Sequence, residues 1–245
     1  MVWLGQEEFF YQVAQGSVDG HFSLFKFGKN PNTGLSEVPI WDGQSEYTYP
    51  ATAGTMGVAS GSAVDNSTGT GARTLQVFGL DENWDLADEE IIMNGQTPVG
   101  TVNQYIRLFR AKVLTAGSLE NQAGDIYVGD GGHTAGVPVN RYIKVTAPAN
   151  QTLMALYSIP AGYEGYMTQL KTFVGKGKDG ELLLKARPFG EVFQNKFTAE
   201  IYERGYESDF RPPLKFEPKT DIQMRVDMAT GTVVSGSFSM VFKNI

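Results

Sequence analysis

The chain has 245 residues, a formal net charge of −7 and no cysteine. The acidity argues against a groove that neutralises a phosphate backbone, so nucleic acid is not an expected direct partner. The lack of thiols excludes a disulfide framework, a thiolate nucleophile and sulfur-ligated zinc.

Hydrophobic residues make up 41% and aromatics 12%, enough for a real core. The 29 glycines lie scattered between β-branched and aromatic runs, as turn formers do, which points to many short strands. The start (Met1, Val2, Trp3, Leu4, Gln6, Glu7, Glu8) lacks the basic and apolar parts of a signal peptide, and no window approaches a membrane span. The expectation is a soluble chain outside the ordinary export route, with no membrane partner.

Residues 1–20 hold the one stretch suited to a helix, from Glu7 through Ala14 with no breaker before Gly16. Such a length is marginal for an isolated helix, so this segment reads as a short helix or an extended arm that needs a surface to lie on. Phe9, Phe10 and Tyr11 are its adhesive part and the candidate inter-subunit contact, or they simply cover one end of the core.

From His21 short apolar runs alternate with turn signals, Phe22, Leu24 and Lys26 facing one way and Ser23, Phe25 and Phe27 the other. Residues 51–71 are rich in Gly, Ala, Ser and Thr; Met56, Val58, Ala63 and Val64 favour a surface-running strand plus loop over a linker. Residues 73–145 read as a β-meander. It turns at Asp81-Glu82-Asn83, resumes from Trp84 and from Glu90, and carries a type I′ hairpin signal at Asn94-Gly95. In the run 105–113, Arg107 and Arg110 fall on opposite faces, so at least one face meets solvent or a partner.

Further strands are expected over 142–145, 153–159, 163–174, 181–186 and 193–202. Then come Ile222, Met224, Val226 and Met228 opposite Gln223, Arg225 and Asp227, and finally Phe238, Met240 and Phe242 between serines. The fold class is all-β, of β-sandwich or jelly-roll type, possibly two packed jelly-roll-like lobes. A seam near 132–140 divides the chain into an arm (1–20), a first lobe (21–135) and a second lobe (136–245), a single large β domain being the alternative.

The residues give little chemistry. His21 and His133 have no second ligand at metal spacing, so no metal site and no cofactor is expected. Gly129-Asp130-Gly131-Gly132 and the run from Gly175 to Gly180 open no helix and lack phosphate-loop spacing. No G-x-S-x-G elbow is present to activate a serine. Asp81, Glu82, Asp85, Asp88, Glu89 and Glu90 could supply the two carboxylates of a glycosidase. Their place around a hairpin instead suggests an acidic edge that discourages sheet-to-sheet aggregation. No catalytic residue is assigned and no enzyme activity is expected.

Phe25-Lys26-Phe27-Gly28-Lys29-Asn30-Pro31, followed by Ile40-Trp41-Asp42-Gly43 and Tyr47, resembles the beginning of virion structural proteins of tailed bacteriophages. Residues 73–129, with Leu75-Gln76-Val77, Met93-Asn94-Gly95 and Tyr105-Ile106-Arg107, are similar to the β-meander of such particle proteins. The resemblance covers the first half of the chain. It implies a virion structural protein without fixing the part of the particle; the expected part is a head decoration or cement protein, a homo-oligomer expected as a trimer, bound to the major capsid protein or other virion proteins. Its place would be the virion, assembled in the host cytoplasm. The alternatives are a neck or tail part that binds a receptor or glycan, and a polysaccharide-cleaving virion enzyme.

Overall fold

The computed structural model describes residues 8–245. In chain order a helix, Phe9–Ala14 (α1), is followed by strands His21–Asn30 (β1), Val38–Pro39 (β2), Gly57–Ser60 (β3), Ala72–Asp81 (β4) and Leu86–Ile92 (β5). Next come Val99–Gly100 (β6), Tyr105–Ala116 (β7), Ile126–Thr134 (β8), Val137–Val145 (β9), Leu156–Ser158 (β10) and Tyr163–Val174 (β11). The last are Gly180–Arg187 (β12), Gln194–Ile201 (β13), Gly205–Phe216 (β14), Asp221–Met228 (β15) and Val234–Asn244 (β16). The protein is all-β with antiparallel pairing, as its period-2 patterns require.

Four sheets build two lobes. In one lobe, a sheet ordered β1-β16-β11-β14 shares a core with a sheet ordered β10-β15-β12-β13, to which β2 adds along β15. In the other, the sheets β6-β3-β8-β9 and β5-β4-β7 share a second core. Inward alternation decides both: Phe238, Met240 and Phe242 of β16 face Leu182, Leu184, Met224 and Val226 in the first core. Val58, Ile126, Val128 and Ile143 face Leu75, Val77 and Ile91 in the second.

The lobes do not follow the expected halves. β1 pairs with β16 along its whole length, from His21 opposite Lys243 to Asn30 opposite Val234, so the two ends of the chain complete one lobe and residues 57–145 form the other as an insertion. The expected seam at 135/136 is the turn of the β8–β9 hairpin. Its central residues Ala135 and Gly136 have φ of 48° and 83°, the pair of positive values that a type I′ turn needs.

Asn94-Gly95, by contrast, joins no hairpin, because β5 and β6 belong to different sheets. Only Gly95 of that pair has positive φ, and a Cβ there would lie 2.9 Å from the Ala63 carbonyl oxygen. The pair marks a crossing between sheets rather than a return.

Three further expectations change. β3 is no surface strand: it lies between β6 and β8, and Val58, Ala59 and Ser60 are fully buried. Its small residues are required by packing, since a Cβ on Gly57 would meet the His133 ring at 2.4 Å. The glycine-rich loop after β3 is held by buried Asp65, which accepts from Ser60 Oγ and from the amides of Ala72, Ala123 and Gly124.

Trp84 belongs to the β4–β5 turn with φ 67°, and a single strand follows it. β14 was not legible as a strand, since it is charged and contains Pro212-Pro213. Pro is tolerated because β14 is the edge of its sheet, and its pairing with β11 jumps from Asp209 to Leu214 around the prolines.

Gly28 shows how tightly β1 is seated. A Cβ there would lie 2.3 Å from the Ala155 amide nitrogen and 2.4 Å from the Ile40 carbonyl oxygen, two atoms already hydrogen-bonded to each other. Gly28→Ala is expected to cost about 1–3 kcal/mol, the range for an overpacked core, because backbone and not a flexible side chain must yield. Urea denaturation of the variant against wild type measures it; an unchanged midpoint would contradict the packing described.

A cation and aromatic ladder between the lobes

Between β4–β5 of one lobe and β12, β15 and the 188–193 loop of the other, side chains alternate in a single stack. Arg187 at the end of β12 lies between the rings of Phe193 and Tyr49, its Cζ 4.7 and 4.6 Å from their centroids. Arg107 of β7 also packs on Tyr49, its Cζ 4.7 Å from that ring and 4.4 Å from Trp84. Lys219 closes the stack, its Nζ 5.9 Å from Trp84 and 5.2 Å from Phe189. Each cation over a ring face gains from the ring's quadrupole, and more so when desolvated.

One carboxylate holds the two guanidinium groups. Asp221, buried at the start of β15, accepts from Arg107 (Nε 2.7 Å, Nη2 3.0 Å), from Arg187 (Nε 3.1 Å, Nη2 2.6 Å) and from Ser158 Oγ at 2.5 Å. Arg107 also donates to the Pro50 and Ile106 carbonyls, so its buried charge is well satisfied. Tyr49, whose hydroxyl accepts from Gln223 Nε2 at 3.0 Å, is held well above the usual phenol pKa by burial and by the negative charge of Asp221.

A cavity of about 630 Å³ opens along this stack, lined by Trp84, Arg107, Arg187, Phe189, Lys219 and Asp221 among others. Two of its residues, Trp84 (φ 67°) and Lys219 (φ 60°), have left-handed backbone, which is uncommon outside glycine and an outlier for a residue as bulky as tryptophan. Backbone bonds hold them: Ala161 N–H donates to the Trp84 carbonyl across the lobes, and Lys219 N–H donates to the Ile159 carbonyl within its own lobe.

The sequence pointed to Arg107 only as a residue facing away from Arg110, and it missed Tyr49, Arg187, Lys219 and Asp221. These residues are spread over three separate stretches, and no spacing rule unites them. The available signal was the acid at the head of the clearest alternating run, 222–228. That strand is buried on both faces: Arg225 pairs with Glu37 and Glu46, and Gln223 with Tyr49.

The other candidates are placed as follows. Phe9, Phe10 and Tyr11 lie on α1 and are 48%, 47% and 64% exposed, Phe9 packing edge-on against His21. On the outer face of the β1-β16-β11-β14 sheet, Phe25, Phe27 and Phe173 flank Ser235 and Ser237 around a shallow, almost wholly apolar hollow.

The acidic cluster does not converge. Asp81 accepts the amides of Asn83 and Asp85, Asp88 accepts from Gln76, and Glu89 accepts the amides of Val102 and Asn103. These carboxylates shape a turn and an edge strand. His21 bonds the Asp19 carbonyl and His133 packs over Gly57, so the two histidines stand apart. Among the described residues no three His, Asp or Glu side chains gather as metal ligands, and no helix is long and apolar enough to cross a membrane.

No family model matches the chain, and no curated protein matches it. Solved structures do. The crystal structure of the STIV MCP aligns with a TM-score of 0.26 at 12% identity, over 90% of this chain and 87% of that one. The structure of the infectious bursal disease virus Gt strain aligns with a TM-score of 0.23 at 11% identity, over 91% and 72%. Similarities of this size carry no argument about role.

Proposed function

We propose that the chain is a non-enzymatic structural protein of a tailed-bacteriophage virion, a head decoration or cement protein that binds the major capsid protein and further copies of itself. The reading rests on the Phe25 to Pro31 and Trp41-Asp42-Gly43 elements and on what the fold does with the first of them. In β1 the residues alternate between anchoring and display. Lys26 and Gly28 are buried, whereas Phe25 is 62% exposed and stacks with Phe27 on the outer face of the sheet.

An apolar patch of Phe25, Phe27 and Phe173 on the outer face of this sheet, with the exposed aromatics of α1 on the same lobe, suits a protein that works by contact. Burying about 1,600 Å² per contact is enough for a specific association, and repetition over a shell multiplies it. A homotrimer is the assembly this reading expects.

Quantitative mass spectrometry of purified particles tests it. A lattice-covering protein is expected at a copy number comparable with the major capsid protein. A handful of copies per particle would instead assign the chain to the neck or tail, the second reading.

A further inference from the structure

The open end of the ladder has the makings of a ligand site. Asp221 is fully engaged by Arg107, Arg187 and Ser158, so it neutralises only part of the positive charge around it. Lys219 has no carboxylate partner among the described residues; its ammonium faces only the rings of Trp84 and Phe189. The other acid of the lining, Glu191, accepts from Gln194 outside the stack. Arg107, Arg187 and Lys219 against Asp221 and Glu191 leave the cavity cationic, in a chain whose net charge is −7.

The shape narrows the chemistry further. At about 630 Å³ the space falls within the range of small-molecule sites and is far larger than a bare anion. Its rim carries Phe189, 65% exposed, set edge-on to Trp84 with centroids 5.6 Å apart. The guanidinium forks, which would favour a phosphate, are already bound to Asp221, so a single ammonium beside aromatic surface remains. Holding Trp84 and Lys219 in left-handed backbone to face this space stores strain of the kind found at ligand clamps.

We propose that this cleft binds a monocarboxylate carried on a ring, with Lys219 taking the carboxylate and the exposed Phe189 packing against the face of the ring. Two sources share that chemistry, an acidic sugar unit of a polysaccharide and a free aromatic acid. Its lining shares no residue with the Phe25, Phe27 and Phe173 hollow or with α1, so binding here and particle association are read independently.

The test is a heteronuclear NMR titration of the whole chain with D-glucuronate, benzoate and D-glucose, following the Trp84 indole N–H and the Lys219 amide. One of the two carboxylates is expected to shift both signals saturably and glucose to shift neither. Lys219→Gln is expected to weaken binding about tenfold or more, as loss of a charge-assisted bond does. Phe189→Ala removes an exposed ring and is expected to weaken it several-fold, thermal melts confirming that both variants fold. Tighter binding of glucuronate assigns the site to acidic sugars, and tighter binding of benzoate to free aromatic acids. Binding of neither carboxylate, equal response to glucose, or an unchanged affinity in Lys219→Gln would overturn the proposal.

Discussion

Asp221→Ala is expected to destabilise the protein by about 3–5 kcal/mol, the cost of leaving buried cations without their partner. Two guanidinium groups and the Ser158 hydroxyl converge on this carboxylate, whose side chain is 2% exposed. Removing it strands Arg107, 9% exposed, between Tyr49 and Trp84 with its charge unanswered. Arg187→Ala is expected to cost less, because that side chain is 29% exposed and water can replace part of what it loses.

The carboxylate also joins the lobes, since Arg107 belongs to one and Asp221 to the other. Asp221→Ala is therefore expected to separate the unfolding of the lobes as well as lower the midpoint, and urea titration followed by tryptophan fluorescence and circular dichroism reads both effects. Asp221→Ala curves that still coincide between the two probes, at an unshifted midpoint, would show that the ladder does not join the lobes energetically.

The second large effect belongs to Lys26. Its ammonium is buried on β1 and donates to the Phe109 carbonyl at 2.5 Å, with Arg110 and no carboxylate lining the same small cavity. Burial, aided by the charge of Arg110, pulls its pKa down to about 7 from the usual 10.5. Between these values the unfolded chain binds the proton and the folded one does not, so stability rises with pH; it is lost as pH falls toward 7.

Tyr49, Tyr105 and Tyr157 act in the opposite sense above about pH 10, because burial keeps them protonated when the unfolded chain ionises them. The rise is therefore confined to roughly pH 7 to 10 and amounts to at most about 4 kcal/mol, at ~1.4 kcal/mol for each pH unit. Lys26→Met keeps the length of the side chain and removes the charge. It is expected to abolish this rise and to stabilise the protein at pH 7 by about 1–4 kcal/mol, as apolar replacement of buried charge does. Denaturation midpoints across that pH range, wild type against variant, decide it: a wild-type curve flat from pH 7 to 10 would contradict the burial of an unpaired lysine.

Both residues show where sequence reading stops. Period-2 patterns placed β11 at its observed limits and β15 and β16 with their apolar faces inward, because those strands bury a face of regular side chains. Lys26 fell on the expected face of β1 with Phe22 and Leu24, yet nothing local says that this face meets the other lobe. The pairing of β1 with β16 is equally silent in sequence, since backbone bonds between the chain's ends leave no mark on side-chain order. Asn94-Gly95 misled because a glycine with positive φ serves a sheet crossing as readily as a hairpin. The ladder drew on Tyr49, Trp84, Arg107, Arg187 and Lys219, each unremarkable alone, and only folding brings them into one stack. Phe9, Phe10 and Tyr11 read equally as an adhesive patch or as a cover for one end of the core, and only the fold shows them exposed on α1.

A map of intact phage particles at a resolution that separates 26.8 kDa subunits tests the central claim most directly. The account predicts two-lobed β density repeated over the outer head, with the Phe25, Phe27 and Phe173 face or α1 turned toward neighbouring protein. Particles whose every density is filled by other chains would contradict it.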